Sequence, residues 1–268
     1  MTATGPPSRV RREPPAFRTV AVRDSEALTP RLVRVTVGGA ELAGTTIELP
    51  AASVRLLLPS PGRTGLVTPT WNGNEYLLPD GTRPVIRTLT PRRLDPVALT
   101  LDVEVVVHGG GALSAWATAA RPGDPVAVSG PGRGYTIDPR ATDYLLAGDE
   151  TAIPAISQLL QHLPPTIPVR VVVEIADPSA RLALPDRDST DTKWLDLTAG
   201  APPGAALVEA VGAADLGAAT KVWVAGEAAA MQRIRRVLFE DRGLARSQAA
   251  VRGYWKHGRS ADTAADDQ

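Results

Sequence analysis

The chain has 268 residues, of which 43% are hydrophobic and 22% charged, and its formal net charge at pH 7 is zero. This length can hold two modest domains, and the balanced charge gives no general attraction to nucleic acid or to a membrane surface. The absence of cysteine excludes disulfides, cysteine-ligated iron–sulfur clusters and thiol catalysis, and the 3 histidines do not predict a metal site.

The ends of the chain carry no targeting or membrane signal. Residues 1–15 contain arginine but no apolar core of the kind that a secretory signal needs, and no run is long enough to span a bilayer. We therefore expect a cytoplasmic protein with disordered tails at 1–15 and 260–268.

Residues 16–140 show the pattern of a β domain. Strands are predicted at 19–22, 32–37, 54–58, 85–90, 99–107 and 124–128, because apolar residues alternate or run together between turn signals. One short helix is predicted over 112–120, with a cap near Ser114. Many short strands and one helix predict a six-stranded antiparallel β-barrel.

Residues 141–259 alternate between strands and helices. Strands are predicted at 144–147, 169–175, 193–197 and 221–227, and helices at 152–162, 205–211 and 228–241. The strand at 169–175 is almost continuously apolar, which is typical of a strand covered on both faces. The alternation predicts a smaller, parallel α/β domain.

Two strand-to-helix turns of this second domain predict a nucleotide site. The carboxyl ends of parallel strands meet at one edge of a sheet, where free backbone N–H groups face a phosphate or a nicotinamide. The residues of these turns are Gly148, Asp149, Glu150, Thr151, Gly226 and Glu227. The alternative is that both are ordinary turns without a ligand.

A series of motifs resembles one protein family. The motifs are, in chain order, Val54–Pro59, Arg87–Thr90, Val107–Gly109, Ser114–Ala117, Gly123–Asp124, Gly130–Gly132, Leu145–Ile156, Trp223–Glu227 and Gly253–Gly258. This order resembles the siderophore-interacting proteins, a branch of the ferredoxin–NADP reductase superfamily, over residues 17–258. The resemblance implies a ferredoxin reductase-like fold, with an FAD-binding barrel at 16–140 and an NAD(P)H-binding domain at 141–259.

The resemblance also implies site residues. Arg87 would pair with the FAD pyrophosphate and Thr90 with the flavin or its ribityl chain, while Leu89 stands where the family usually has tyrosine. Ser114 would cap a helix and bind phosphate. The implied flavin contacts are Arg87, Thr88, Leu89, Thr90, Val107, His108, Gly109, Gly111 and Ser114.

Three basic residues fall where the family carries charges around its substrate pocket. They are Arg55, Arg133 and Lys256, and the alternative is that all three are solvated surface charges. A basic cluster would attract an anionic ferric siderophore. No residue is assigned as a catalytic group or as a metal ligand.

The function implied by the resemblance is the reduction of a ferric siderophore. Hydride would pass from NAD(P)H to FAD, and single electrons would then reduce Fe(III) and release Fe(II). A ferric siderophore is the expected partner, with no nucleic acid and no membrane span, and we expect a monomer. Two alternatives remain open. One is a siderophore- or nucleotide-binding module without flavin, which Leu89 and a His108–Ser114 loop one residue shorter than the family's favour. The other is a general flavin reductase with a protein acceptor.

Overall fold

The computed structural model describes residues 13–63 and 65–258. The expected disordered tails fall mostly outside this range, since only residues 13–15 of the first are described and none of the second. Within the described residues, no helix is both long and apolar enough to cross a bilayer.

The first half of the chain builds an antiparallel, barrel-like sheet. Seven strands pair in the order β6-β3-β9-β1-β2-β8-β7, and β4 pairs with β5 in a separate hairpin. The elements are β1 (Arg18–Thr29), β2 (Leu32–Gly38), β3 (Val54–Leu58), β4 (Thr70–Trp71), β5 (Tyr76–Leu77), β6 (Val85–Leu89), β7 (Pro91–Asp95), β8 (Thr100–Val106), α1 (Ala112–Ala119) and β9 (Pro125–Ser129).

Period-two alternation explains how this sheet fills its core. In β2, Val35 lies opposite Val103 of β8, and Val37 lies opposite Leu101. All four side chains belong to one buried apolar cluster inside the sheet. The sheet has seven strands where six were expected, because the chain continues past Thr90 into β7, which pairs with β8.

The second half builds a parallel sheet covered on both faces. Its five strands lie in the order β12-β11-β10-β13-β14, and every neighbouring pair is parallel. The elements are β10 (Tyr144–Asp149), α2 (Ile153–His162), β11 (Val169–Ile175), β12 (Thr190–Asp196), α3 (Ala205–Ala213), β13 (Lys221–Glu227), α4 (Ala228–Arg236) and β14 (Ala249–Trp255). The parallel α/β prediction is confirmed.

Alternating residues of the central strand supply both cores of this domain. Leu146 of β10 packs with Ile156 of α2 on one face of the sheet. Leu145 packs with Leu207 of α3 and Met231 of α4 on the other face. In this three-layer arrangement, the carboxyl ends of β10, β11 and β13 lie along one edge of the sheet. The chain passes from this edge into the helices that cover the sheet.

Two details of the second domain differ from the predictions. The helix predicted over 228–241 is α-helical only to Arg236, and residues 237–241 form a π-helical turn. Strand β14 was not predicted, because residues 249–255 show no clear alternation and Gly253 interrupts them.

Hydrogen bonds fasten the two sheets to each other. Gln158 of α2 accepts from the Ala51 N–H at 2.8 Å and donates to the Pro91 carbonyl at 2.6 Å. Arg252 of β14 donates to the carbonyls of Ala51 and Gly134, both at 2.8 Å. Strand β14 is therefore attached to the barrel as well as to its own sheet.

Candidate functional site

The arginine motif lies in β6, where alternation divides its residues between two faces. Leu89 lies opposite Val54 and packs against the barrel core, whereas Thr88 is exposed and lies opposite Arg55. Arg87 is half-buried, and its guanidinium donates to the Ile86 carbonyl at 2.9 Å. Leu89 is thus placed on the core side of the strand.

The last residue of this motif faces the second domain. Thr90 is buried just after β6, and its hydroxyl lies 3.4 Å from the hydroxyl of Tyr254 in β14. Burial raises the pKa of the Tyr254 phenol. The end of the arginine motif and strand β14 therefore meet at the domain boundary.

The glycine-rich loop after β8 leads into a helix without a side-chain cap. The loop runs from Val107 through the exposed His108 to Gly111, which precedes α1 and has φ +90°. No heavy atom lies within 4 Å of a Cβ built on Gly109 or on Gly110. The first N–H groups of α1 are uncapped donors that face open space, and such a set of donors suits a phosphate group.

The expectation that Ser114 caps this helix is wrong. Ser114 is the third residue of α1, it is buried, and its hydroxyl accepts from the His108 N–H at 3.3 Å. Its hydroxyl therefore holds the loop against the helix and leaves the first turn uncapped. Its role as a phosphate ligand stays a prediction.

At the edge of the parallel sheet, Asp149 is a buried carboxylate with several donors. One oxygen accepts from the Thr151 N–H at 3.0 Å and from the Thr151 hydroxyl. The other accepts from the Glu227 N–H at 2.9 Å and from the Trp255 indole N–H at 2.7 Å. Burial outweighs these donors and raises the pKa of Asp149 to about 6.

Both glycines of the predicted nucleotide site are required by close contacts within the protein. A Cβ on Gly148 would lie 2.3 Å from Cβ of Ala152, and a Cβ on Gly226 would lie 2.6 Å from a carboxylate oxygen of Asp149. Each glycine therefore leaves space for a neighbouring protein group that a Cβ at that position would overlap.

The other carboxylates of this edge also have partners inside the chain. Glu150 pairs with Arg31 at 3.0 Å and accepts from the Ala176 N–H at 2.6 Å. Glu227 accepts from the N–H of Ala230 at 2.9 Å, and so caps α4. The predicted nucleotide residues do meet at one edge, but their carboxylates are used in capping and pairing.

The three basic residues lie on segments that approach one another. Arg55 is half-buried in β3 opposite Ser129, and Arg133 is exposed in the loop after β9. That loop is held to β3 by the Gly132 N–H, which donates to the Ser53 carbonyl at 2.6 Å. Lys256 is exposed directly after β14, whose Arg252 binds the same loop at Gly134.

Arg252, Tyr254 and Trp255 had no place in the site predicted from the sequence. In the structure, all three donate or share hydrogen bonds across the boundary or at the sheet edge. The only signal was that Tyr254 and Trp255 lie in the motif Gly253–Gly258 and that Arg252 directly precedes it. A sequence does not show which distant group an indole N–H meets.

Family models match both halves of the chain. Residues 21–135 match the siderophore-interacting FAD-binding domain, and residues 141–258 match the siderophore-interacting protein family. The first match includes the arginine motif and the glycine-rich loop, and the second includes the whole edge around Asp149.

Individual relatives agree with these matches. A siderophore utilization protein from T. fusca has a structure with TM-score 0.82 and 35% identity, covering 94% of this chain and 97% of that one. The ferric vibriobactin reductase ViuB of Vibrio cholerae is 27% identical, covering 86% of each chain.

The fold is also shared with proteins of much lower sequence identity. A ferredoxin NADP+ reductase from Neisseria gonorrhoeae, solved with bound FAD and NADP, has a TM-score of 0.65 at 16% identity, covering 90% of this chain and 99% of that one. The two-sheet architecture is therefore ferredoxin reductase-like. From the family matches and the full-length similarity at 35% identity, the chain belongs to the siderophore-interacting protein family.

Proposed function

We propose that the protein is an FAD-dependent NAD(P)H:ferric-siderophore reductase. The observation that carries this proposal is the uncapped N-terminus of α1 behind open glycines, within a region that matches a siderophore-interacting FAD-binding domain. The relationship to a ferric vibriobactin reductase supports an oxidoreductase that acts on iron complexes.

Residues of the barrel would hold the flavin. The N–H groups of α1 would donate to the pyrophosphate oxygens, and Arg87 would add a charge-assisted bond from β6. Val107, His108 and Gly109 would line the approach, and Thr88 and Thr90 would contact the rest of the cofactor. When bound, FAD supplies the conversion of a two-electron hydride donor into single electrons for Fe(III).

Residues of the second domain would hold NAD(P)H at the carboxyl edge of its parallel sheet. Since the carboxylates of Asp149, Glu150 and Glu227 already accept protein donors, the backbone of the Gly148 and Gly226 turns is the more suitable contact. In the cytoplasm, where we place the protein, NAD(P)H is available as the donor.

The basic residues would attract the ferric siderophore. Arg55, Arg133 and Lys256 contribute positive charge on segments that meet at the domain boundary, so binding should weaken as salt rises. No side chain needs to act as a nucleophile or acid, because the contribution of the protein is to position the two cofactors and the substrate. All of these residues lie in one chain, so we propose that a monomer is sufficient.

The test is the visible spectrum of the purified protein, before and after anaerobic addition of NADH or NADPH. We expect flavin absorption near ~450 nm that bleaches with the nicotinamide and returns with a ferric siderophore. Arg87→Ala should lose most of its flavin, while Arg93→Ala, an exposed arginine of β7, should keep it.

Two results would contradict the proposal. Protein that is colourless and takes up no added FAD would favour the binding module without flavin. Protein that bleaches but passes no electrons to ferric siderophores, while it does so to a protein acceptor, would favour the general flavin reductase.

A further inference from the structure

We infer that Asp149 and Glu227 are positioning residues for Lys256, and are not ligands of the nicotinamide nucleotide. The inference rests on the proposed function, because it takes Lys256 as a contact for the ferric siderophore. It concerns how two buried carboxylates hold the segment that carries this lysine.

The residue before Lys256 is fixed by Asp149. The indole N–H of Trp255 donates to Asp149 at 2.7 Å, across 106 positions of sequence. The carboxylate is itself held in place by Thr151 and by the Glu227 N–H. A hydrogen bond from a neutral donor to a buried carboxylate is among the stronger hydrogen bonds in proteins.

The residue after Lys256 is fixed by Glu227. The backbone N–H of His257 donates to one oxygen of Glu227 at 3.2 Å, while the other oxygen caps α4. Lys256 is thus the exposed residue between two anchored neighbours, and its backbone is held from both sides.

The pairing of β13 with β14 accounts for this geometry. Gly226 lies opposite Gly253, but Glu227 lies opposite Trp255, so Tyr254 is an extra residue in β14. Such a bulge re-aims the side chains that follow it. Here it brings the Trp255 indole to Asp149, and the missing side chain of Gly226 leaves room for the carboxylate.

The same contacts argue against a role in nucleotide binding. Asp149 and Glu227 are 8% and 4% exposed, and each of their four carboxylate oxygens accepts at least one donor from the chain. A nucleotide hydroxyl or amide would have to displace one of these bonds. Their buried donors would then lack an acceptor, which is costly.

The test compares binding and kinetics in four variants of the flavin-loaded protein. Trp255→Phe removes the indole donor, and Asp149→Asn weakens the anchor because one of the two acceptor oxygens becomes an amide N–H group. Trp255→Phe also keeps the buried carboxylate and an aromatic ring in case Asp149→Asn does not fold. Lys256→Ala removes the contact itself. Glu174→Gln is the matched control, because Glu174 is buried at the same edge but caps α3 and does not touch β14.

The ligand probe is the anionic ferric tris-catechol complex, measured by its equilibrium Kd without nicotinamide and by its KM with NADPH. We expect Trp255→Phe to raise both constants about fivefold, with the KM for NADPH and the flavin content unchanged. In a Lys256→Ala background, Trp255→Phe should have no further effect, because it acts through the lysine. Glu174→Gln should leave both constants unchanged.

Different results would overturn different conclusions. If Asp149→Asn and Trp255→Phe raise the KM for NADPH and leave the ferric complex alone, the inference is wrong while the proposed function stands. Effects of Trp255→Phe and Lys256→Ala that multiply would also refute it. If the wild-type protein neither binds nor reduces the ferric complex, the proposed function fails, and the inference fails with it.

Discussion

Replacing Gln158 with leucine should loosen the attachment of the second domain to the barrel. The Gln158 side chain is buried, and it bonds the Ala51 N–H at 2.8 Å and the Pro91 carbonyl at 2.6 Å. Leucine has a similar size but no polar atoms, so both buried backbone groups lose their partner. An unsatisfied buried group costs about 1–3 kcal/mol, while the added apolar contact returns about 1 kcal/mol.

With two such groups at about 2 kcal/mol each, the free energy of unfolding should therefore fall by about 3 kcal/mol in Gln158→Leu. Ala51 adds to the effect, because its left-handed backbone with φ 52° is held through its N–H by Gln158 and through its carbonyl by Arg252. Urea unfolding, followed by circular dichroism and by tryptophan fluorescence, measures the change.

Gln161→Leu is the control on the same helix. Gln161 is exposed and accepts only from Arg92 at 3.1 Å, so its replacement should cost less than about 1 kcal/mol. If the two variants lose the same stability, the hydrogen bonds of Gln158 do not hold the boundary, and the reasoning fails.

Two further predictions concern the buried carboxylate and its neighbour. Burial raises the pKa of Asp149 from 3.8 to about 6, so its contribution to stability is complete below pH ~4 and is lost as the pH rises through ~6. Urea unfolding at pH 4 and 7 should show wild type losing about 2 kcal/mol relative to Asp149→Asn, and a constant difference would contradict this. Gly226→Ala should cost about 2 kcal/mol in thermal unfolding, because its Cβ would lie 2.6 Å from Asp149. Gly253→Ala, opposite it in β14, would meet Ala228 at an ordinary 3.5 Å, and an equal loss there would refute the steric argument.

Local patterns predicted most of the fold. The alternation around Val35 and Val103 gave correct strands, and the continuous run at 169–175 gave a buried parallel strand with the observed bounds. The prediction of strands failed where the local sequence pattern does not reflect the strand pairing in the folded sheet. Pro91 signals a stop, yet β7 starts there. Residues 249–255 show no alternation, so β14 is recognised only from its pairing with β13, which its own bulge at Tyr254 interrupts.

The sequence was sufficient to predict where the site lies, but not which hydrogen bonds its residues make. Gly148 and Gly226 mark the carboxyl edge of the sheet from sequence, and the structure places them there. The sequence does not show that Trp255 meets Asp149, because that bond joins residues 106 positions apart. Ser114 was wrong as a cap because α1 begins at Ala112, three residues earlier than a cap at Ser114 requires.

The attachment of β14 has a consequence for the order of assembly on the ribosome. Its partners Ala51, Thr90 and Asp149 are all synthesised more than 100 residues before their counterparts in the strand. Until residues 249–255 leave the exit tunnel, β13 presents an open edge, and the buried carboxylate lacks its indole donor. Long-range pairing of this kind is slow to form. A nascent chain stalled before residue 249 should therefore hold a folded barrel beside an incomplete sheet, and that exposed edge is where we expect chaperones to bind.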